Sequence, residues 1–380
     1  MQHCVKKVTL FYDDFASGVL PGATNSPYYF FQADTPDGPY IGKDAAGGVT
    51  ATKNSLQVNS TPFTIATASD LNNVKYLVYN KTVFEAPGYL KVNCKYVSQE
   101  IVYDAIISAQ QKFPSPPFTI PYPYPEGDTD LKGVNNARSD LRICSSALNI
   151  ADFETFMVFD FFLTDEDIYA FYERLPFGKT PENNYHAFSH AIPVGKRRSV
   201  NSLGDFVKLS IAYNREEGYV RWLVNDLEVF RVERLGYPLQ RKYRVLDHGG
   251  VAGLVRPRSL STGFGNFTLL NMQNPQNPGQ IPNAGLLDLR TPLVPAYAPI
   301  RTDQLGLPVE PVYIQTPYLR EFALFDQGST LNLKYVHVYK QLQGGLTYPE
   351  AYGEQIRFTR AQLNAIPGVN ALAPVTTTYE

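Results

Sequence analysis

The amino-acid sequence predicts an all-β protein, a sandwich of two antiparallel sheets with long loop insertions. Aromatic residues make up 13% of the chain and are almost entirely Tyr (26) and Phe (23), a composition that favours strands. Apolar and polar residues alternate with period two in many short segments, as in half-buried strands. The 29 Pro and 27 Gly residues divide the chain into short elements.

Strand candidates recur along most of the chain. They are residues 74–79, 88–97, 138–143, 153–163, 168–175, 185–194, 206–213, 219–232 and 331–339. The segment 153–163 is nearly all apolar, as expected for a strand covered on both faces. Two short helices are predicted, over 102–112 and over 359–365, the second with Thr359 as its N-cap.

Two segments break this pattern. Residues 113–125 contain six prolines interleaved with Phe and Tyr, which indicates a rigid loop or a docking segment for another protein. Residues 273–326 contain Asn-Pro and Pro-Gly dipeptides without periodicity, and such a long excursion inside a domain is expected to cover a functional cleft. We therefore expect one sandwich domain over 1–345, including this excursion, and a C-terminal extension over 346–380.

Charge and cysteine content exclude several classes of function. The net charge is −2, with acids and bases interspersed, which argues against nucleic acid or a membrane surface as the main partner. Three cysteines without CxxC spacing and five scattered histidines predict neither a disulfide framework nor a metal site, and we expect no cofactor. Without an apolar run of signal-peptide or membrane-spanning length, the expected location is cytoplasmic.

Three segments resemble the sandwich of the family 16, laminarinase-type glycoside hydrolases and of legume-lectin-like proteins. Val220–Asp226 (VRWLVND) is similar to the family's strand I-R-W-Y-V-D-G, and Lys334–Gln341 (KYVHVYKQ) is similar to its closing D-Y-V-R-V-Y-Q. Phe11–Phe15 (FYDDF) is similar to an opening D-x-F element. The resemblance implies a concanavalin A-like jelly roll.

The catalytic strand of that family departs from its pattern here. The family carries a nucleophilic Glu, an assisting Asp and an acid/base Glu as E-x-D-x-E or E-x-D-x-x-E on one strand face. The corresponding strand is Asp167–Glu173, and its alignment on Glu173 puts Ile168 and Ala170 at the other two positions. A retaining mechanism needs two carboxyls about 5 Å apart, so the sequence predicts that normal retaining chemistry is lost.

Glu173 remains the centre of the candidate site. Alternation places Tyr169, Phe171 and Glu173 on one side of the strand and Ile168, Ala170 and Tyr172 on the other. A carboxyl among aromatic rings can have a raised pKa and act as a general acid. The alternative is a surface Glu paired with Arg174 or with a neighbouring lysine.

Histidines and the one tryptophan complete the predicted site. His186 and His190 lie at i and i+4 with Phe188 between them, and on a strand this spacing separates them by about 13 Å, too far for a shared metal. Trp222 is either a platform for a sugar ring or a core residue. The predicted catalytic residues are Glu173, Tyr169 and His190, and the predicted ligand-binding residues are Phe171, His186, Phe188 and Trp222.

These observations support three hypotheses about function. The first is binding of a glycan or glycoside-like ligand in the concave cleft, without normal retaining hydrolase chemistry. The second is a cytoplasmic small-molecule enzyme, a cyclase, isomerase or tailoring catalyst of secondary metabolism, with acid/base chemistry at Glu173. The third is a non-catalytic interaction protein that uses residues 113–125. The sequence leaves the ligand and the oligomeric state open.

Overall fold

The structure, a computed structural model, describes residues 7–35, 38–44, 47–52, 54–64, 74–92, 95–112, 138–197, 205–269, 327–342 and 370–371. The strands in chain order are β1 (Lys7–Asp13), β2 (Tyr28–Phe30), β3 (Gln32–Thr35), β4 (Gly38–Ile41), β5 (Gly48–Thr52), β6 (Ser55–Ser60), β7 (Val74–Asn80), β8 (Phe84–Glu85), β9 (Tyr89–Val92), β10 (Lys95–Lys112), β11 (Ser145–Ala151), β12 (Met157–Leu163), β13 (Asp167–Arg174), β14 (Phe188–Lys196), β15 (Val207–Asn214), β16 (Tyr219–Val224), β17 (Leu227–Val232), β18 (Arg244–Asp247), β19 (Ser259–Phe267), β20 (Gly328–Leu342) and β21 (Asn370–Ala371). Two short 3-10 helices lie at Pro176–Gly178 and Arg241–Tyr243. Within the described ranges no helix has the length and apolarity to cross a membrane.

The strands form two antiparallel sheets. The first has the order β17-β16-β15-β10-β20-β6-β5, with β1 paired to β20 and β9 paired to β10. The second has the order β18-β14-β13-β12-β11-β19-β7-β2, with β21 paired to β14 and β8 paired to β19. A separate hairpin joins β3 and β4. The predicted fold class, an all-β sandwich of two antiparallel sheets, is confirmed.

The main core lies between the two sheets and is rich in aromatic rings. Phe159 of the second sheet stacks on Tyr172 of the same sheet with ring centroids 6.4 Å apart, and it meets Trp222 of the first sheet edge-on at 6.1 Å. All three side chains are fully buried. Burial of a Phe side chain contributes about 2–3 kcal/mol, so these contacts hold the layers together.

A tight turn at Asn225 and Asp226 joins β16 and β17 in a hairpin. Asn225 and Asp226 both adopt positive φ, 49° and 68°, which is the backbone of a type I′ turn. Asn and Asp tolerate this region better than other non-glycine residues. After a register shift between Leu223 and Trp222, Trp222 stands opposite Phe230 of β17, and both side chains lie in the core.

The helix predicted over 102–112 is wrong, because this segment is part of the long strand β10. Its backbone is paired on one side with β15 and on the other with β20. Tyr103, Ala105, Ile107 and Ala109 all lie in the core between the sheets, which is a period of two. The alternation was present in the sequence and outweighs the helix-forming composition.

The segment 88–97, predicted as one strand, contains β9 paired antiparallel with the start of β10, and two other predicted strand boundaries also need correction. The segment 138–143 forms turns, and Asp140 Oδ1 accepts hydrogen bonds from the backbone N–H and the Nε of Arg142. The strand predicted from Phe153 begins only at Met157, since Asp152 accepts the backbone N–H groups of the two residues 154 and 155. In both places an Asp side chain satisfies backbone donors locally and competes with strand pairing.

Several predictions concern residues outside the described ranges. They are the Pro/Tyr segment 113–125, the excursion 273–326, the helix over 359–365 and all of the extension 346–380 except its residues 370–371. The division into a domain over 1–345 and this extension therefore stays a prediction.

Candidate functional site

One face of the second sheet looks away from the core between the sheets and carries the carboxyl groups of Asp160 and Glu173. On β12, Phe159 and Phe161 point into that core, so Asp160 between them projects from the opposite face. On β13, Tyr172 points into the same core, so Glu173 shares the face of Asp160. The two acids thus lie on adjacent strands.

A row of polar side chains crosses this face. Ser189 of β14 is the direct cross-strand partner of Glu173, and Asn149 of β11 is the direct partner of Asp160. Between β12 and β13 the row steps by two residues, since Val158 stands opposite Glu173. We call the row the carboxylate row; its members are Tyr79, Asn149, Asp160, Glu173 and Ser189.

Gly263 allows Tyr79, the member of the carboxylate row on β7, to contact Asn149. Asn149 stands opposite Gly263 of β19, and Gly263 stands opposite Tyr79 of β7. A Cβ at Gly263 would lie 2.8 Å from the Tyr79 ring and 2.4 Å from the carbonyl oxygen of Val78. The absence of a side chain therefore lets the Tyr79 ring lie across β19 and place its hydroxyl beside Asn149.

Hydrogen bonds connect the carboxylate row on both sides of its two acids. The Tyr79 hydroxyl donates to Asn149 Oδ1, and Asn149 Nδ2 donates to Asp160 Oδ2 at 2.9 Å. Asp160 Oδ1 accepts the backbone N–H of Ile150 at 3.2 Å. On the other side, Ser189 Oγ donates to Glu173 Oε2 at 2.7 Å.

Burial dominates the electrostatics of the row. Every member is at most 8% exposed, and burial raises the pKa of Glu173 to about 7 although the Ser189 hydrogen bond opposes the shift. Burial also raises the pKa of Asp160 well above its ordinary value, and the neighbouring Glu173 carboxyl adds to this shift. The pKa of Tyr79 is raised in the same way, first by burial and then by Asp160, so its phenol stays neutral and donates.

Aromatic rings lie beside the row on the same face. Phe171 is the direct cross-strand partner of Asp160, and its ring centroid is 4.9 Å from that of Phe162. Phe162 in turn meets Phe267 at 5.3 Å. The acids therefore stand next to an apolar surface, which is the cause of their strong desolvation.

Two of the predicted site residues accompany Glu173 on this face. Phe171 and Tyr169 belong to the apolar cluster of this face, as the alternation predicted. The Tyr169 hydroxyl donates to the backbone carbonyl of Ser139 at 2.6 Å, which directs it away from Glu173. The predicted pairing of Glu173 with Arg174 is replaced by the bond from Ser189.

Three predicted site residues lie on the opposite side of the sheets, in the core between them. They are Phe188, His190 and Trp222, all fully buried. The alternation of β14 turns Ser189, rather than His190, toward Glu173. His190 Nε2 accepts the backbone N–H of Leu239 at 3.1 Å, and burial lowers the pKa of this histidine to about 3. Trp222 Nε1 donates to the backbone carbonyl of Asp160 at 2.8 Å. These three residues stabilise the fold beneath the face and do not line it.

His186 lies at the edge of the second sheet with a different partner. Its Nε2 is 2.8 Å from Asp247 Oδ1, and Arg244 binds the other oxygen of the same carboxylate at 2.6 Å. This hydrogen bond and these charges, with the backbone N–H of Gly249, lower the pKa of Asp247 against the effect of burial. The structure gives no contact between His186 and Glu173 in the described ranges.

The sequence reasoning missed Asp160, Asn149, Ser189 and Tyr79. One signal for Asp160 was available, since it is the single charged residue in the strand Met157–Leu163, and an acid in a strand covered on both faces needs partners. Its proximity to Glu173 follows from strand pairing, which one sequence does not show. In the described residues no group of three or more His, Cys, Asp or Glu side chains is arranged to hold a metal ion.

The fold and this face define an all-β sandwich protein with a buried acidic site, and comparison with known proteins places it in a family. The chain belongs to a family of unknown function (DUF6081), whose sequence profile matches residues 123–341. An uncharacterised protein of Acanthamoeba polyphaga mimivirus is 30% identical to it, over 77% of this chain and 81% of the viral protein.

The chain is also similar to solved structures of carbohydrate-active proteins. One is LamA of Z. galactanivorans, crystallised with laminaritriose and laminaritetraose, at 9% identity and a TM-score of 0.40, covering 88% of this chain and 99% of that one. Another is the endo-β-1,3-glucanase of Pyrococcus furiosus, at 10% identity and a TM-score of 0.40, covering 88% and 95%. Likenesses of this degree carry no argument about function, which has to be inferred from the face itself.

Proposed function

We propose that the protein binds a carbohydrate or carbohydrate-like ligand on the face of the carboxylate row, with Glu173 as its main polar contact. The observation that carries the proposal is the row itself, in which donors and acceptors lie side by side next to the rings of Phe171 and Phe162. A sugar presents hydroxyl groups at its edge and apolar C–H groups on its faces. Such a ligand matches a few placed polar groups on an apolar surface.

The arrangement of Asp160 argues for binding without the retaining mechanism of the family that the sequence resembles. A nucleophilic carboxylate needs an oxygen that can reach the sugar carbon. Both oxygens of Asp160 already accept hydrogen bonds, from Ile150 and Asn149, and its side chain is 1% exposed. Ile168 and Ala170, at the other family positions, point into the core between the sheets.

A second candidate function is acid/base catalysis on a small molecule. The observation that favours it is the raised pKa of Glu173, about 7, since a general acid or base works best when its pKa is near the working pH. The buried face would also keep water from a reactive intermediate. The third hypothesis, an interaction through residues 113–125, and the cytoplasmic location stay predictions.

A titration with β-glucan oligosaccharides tests the proposed function. The wild-type protein, Glu173→Gln and the exposed-site control Glu217→Gln are compared by thermal shift and by NMR. We expect saturable stabilisation of the wild type and of the control, and weaker binding by Glu173→Gln because an amide cannot donate the strong O–H hydrogen bond of a carboxyl group to a sugar oxygen. If none of a panel of neutral and acidic saccharides stabilises the wild type, the carbohydrate proposal fails. Equal binding by all three proteins would place the ligand elsewhere.

A further inference from the structure

We propose that Asp160 and Glu173 form one acid–base unit that holds a single proton between two carboxyl groups, with Glu173 carrying the exchangeable proton and Asp160 holding the charge. The inference deepens the proposed function and rests on it for the ligand, a carbohydrate with an oxygen that accepts a proton. Asp160 is a positioning residue in this unit, because it acts through Glu173.

The strand register brings the two carboxyl groups close together. Asp160 stands opposite Phe171, and Glu173 stands opposite Val158, so the acids are diagonal neighbours on adjacent antiparallel strands. Diagonal positions on one face are about 7–8 Å apart, within reach of longer side chains. Two buried like charges at such a separation repel strongly, so one of the pair retains its proton.

The hydrogen-bond partners decide which acid carries the charge. Asn149 has its Oδ1 occupied by the Tyr79 hydroxyl, so its Nδ2 must point to Asp160. With the backbone N–H of Ile150, Asp160 therefore has two N–H donors, and donors of this kind stabilise a carboxylate. Among the described residues, Glu173 has one donor, the Ser189 hydroxyl. The charge is thus better stabilised on Asp160 and the proton is left on Glu173.

The exposed fractions of the two side chains indicate that Glu173 is the acid that exchanges the proton. Both acids are buried, but Glu173 is 8% exposed and Asp160 only 1% exposed, so Glu173 is the member of the pair that lies nearer to solvent. The other groups of the row do not titrate near neutral pH, since Asn149 and Ser189 are neutral and the pKa of Tyr79 is raised well above its ordinary value by burial and by the acids. Within the carboxylate row, protonation near pH 7 is therefore a property of the Asp160 and Glu173 carboxyl groups together.

The exchange itself is a balanced proton transfer. The O–H bond of the Glu173 carboxyl breaks, its electron pair stays on Glu173 as a carboxylate charge, and a new O–H bond forms on a carbonyl or ether oxygen of the carbohydrate. The reverse transfer restores the carboxyl. The step needs no oxidant, reductant or metal.

Infrared spectroscopy of the protein without ligand tests the pair. Protein labelled with 13C in the carboxyl groups of Glu or of Asp is measured through a pH titration in D2O. In the wild type at neutral pH we expect a protonated-carboxyl band that shifts with the Glu label and disappears in Glu173→Gln. In Asp160→Asn the neighbouring charge is gone, so the acid dissociation constant of Glu173 should increase tenfold or more.

A second variant keeps the test decisive if Asp160→Asn does not fold. Asn149→Ala removes one donor from Asp160, so part of the protonated band should shift with the Asp label instead of the Glu label. A merely structural role of Asp160 would leave the label dependence unchanged. Two ionised carboxyls in the neutral wild type, or an unchanged dissociation constant of Glu173 in Asp160→Asn, would overturn the inference. Because no saccharide is present, failure of the carbohydrate proposal does not affect these outcomes.

Discussion

Trp222 Nε1 donates a hydrogen bond of 2.8 Å to the backbone carbonyl oxygen of Asp160. The bond crosses the core between the sheets and ties β16 of the first sheet to the strand of the second sheet that carries a site acid. The indole is fully buried, with Phe159 at 6.1 Å and Phe230 at 5.1 Å between ring centroids. The one tryptophan of the chain thus supports the acidic face from below.

Trp222→Phe should lower the free energy of unfolding by about 2–4 kcal/mol. The change leaves the buried carbonyl of Asp160 without this donor and opens a small cavity, and both effects destabilise the fold. Denaturant unfolding followed by circular dichroism measures the loss. Phe230→Leu is the matched control, since it reduces packing on the same indole without removing a hydrogen bond. Equal losses in the two variants would mean that the bond to Asp160 contributes nothing.

Glu173→Gln should change how stability depends on pH. The ordinary pKa of 4.5 is raised to about 7 in the folded chain, so the neutral carboxyl is compatible with folding below pH 4.5 and its ionisation destabilises the fold as the pH rises through 7. Over this window the wild type should lose about 3 kcal/mol relative to the Gln variant. Urea unfolding at a series of pH values from 4 to 8 measures the difference.

The exposed residue Glu217 supplies the control for this pH dependence. Glu217→Gln should follow the wild-type curve across the whole range, because this exposed residue is not part of the carboxylate row and Glu173 is retained. A constant difference between the wild type and Glu173→Gln at all pH values would contradict the raised pKa.

The sequence alone predicted the sandwich and one of the two acids, because alternation within a single strand shows which of its residues share a face. Alternation in β13 placed Glu173 and Phe171 on one face. Partners on other strands depend on register, which brings Asp160 and Ser189 to Glu173 from separate segments of the chain. Alternation also does not show which face of a strand is directed toward the core. It grouped His190 with Phe188 correctly, but it did not show that both side chains lie in the core.

Gly263→Ala should disturb the carboxylate row from a distance. The added Cβ would lie 2.4 Å from the Val78 carbonyl oxygen and 2.8 Å from the Tyr79 ring, so the ring must move away from Asn149. We expect a loss of about 1–3 kcal/mol in stability and a higher pKa of Asp160, because Asn149 is no longer held in its donating orientation. NMR of 13C-labelled Asp measures the titration. Gly253→Ala, where a Cβ would meet nothing within 4 Å, is the control and should leave both quantities unchanged.

The outer face of the first sheet offers a contrasting acid that has no role in the proposed site. Glu100 is fully buried, and it accepts hydrogen bonds from Arg221 Nε at 2.7 Å, Arg221 Nη2 at 2.6 Å and the Tyr219 hydroxyl at 2.7 Å. The carboxylate raises the pKa of Arg221 although burial opposes the shift. A cation thus balances Glu100, whereas the donors that the described residues offer to Asp160 and Glu173 are neutral.

Arg221→Met should therefore destabilise the fold by about 3–5 kcal/mol, because it leaves the Glu100 charge buried without its cation. The double variant Glu100→Leu/Arg221→Met removes both charges and should recover most of this loss, since an apolar pair of similar volume is often as stable as a buried ion pair. Chemical unfolding at neutral pH measures both values. Arg258→Gln breaks the fully exposed pair of Arg258 with Glu154 and should leave stability unchanged. If the double variant is no more stable than Arg221→Met, the cost lies in lost packing of the long arginine side chain rather than in the unpaired charge.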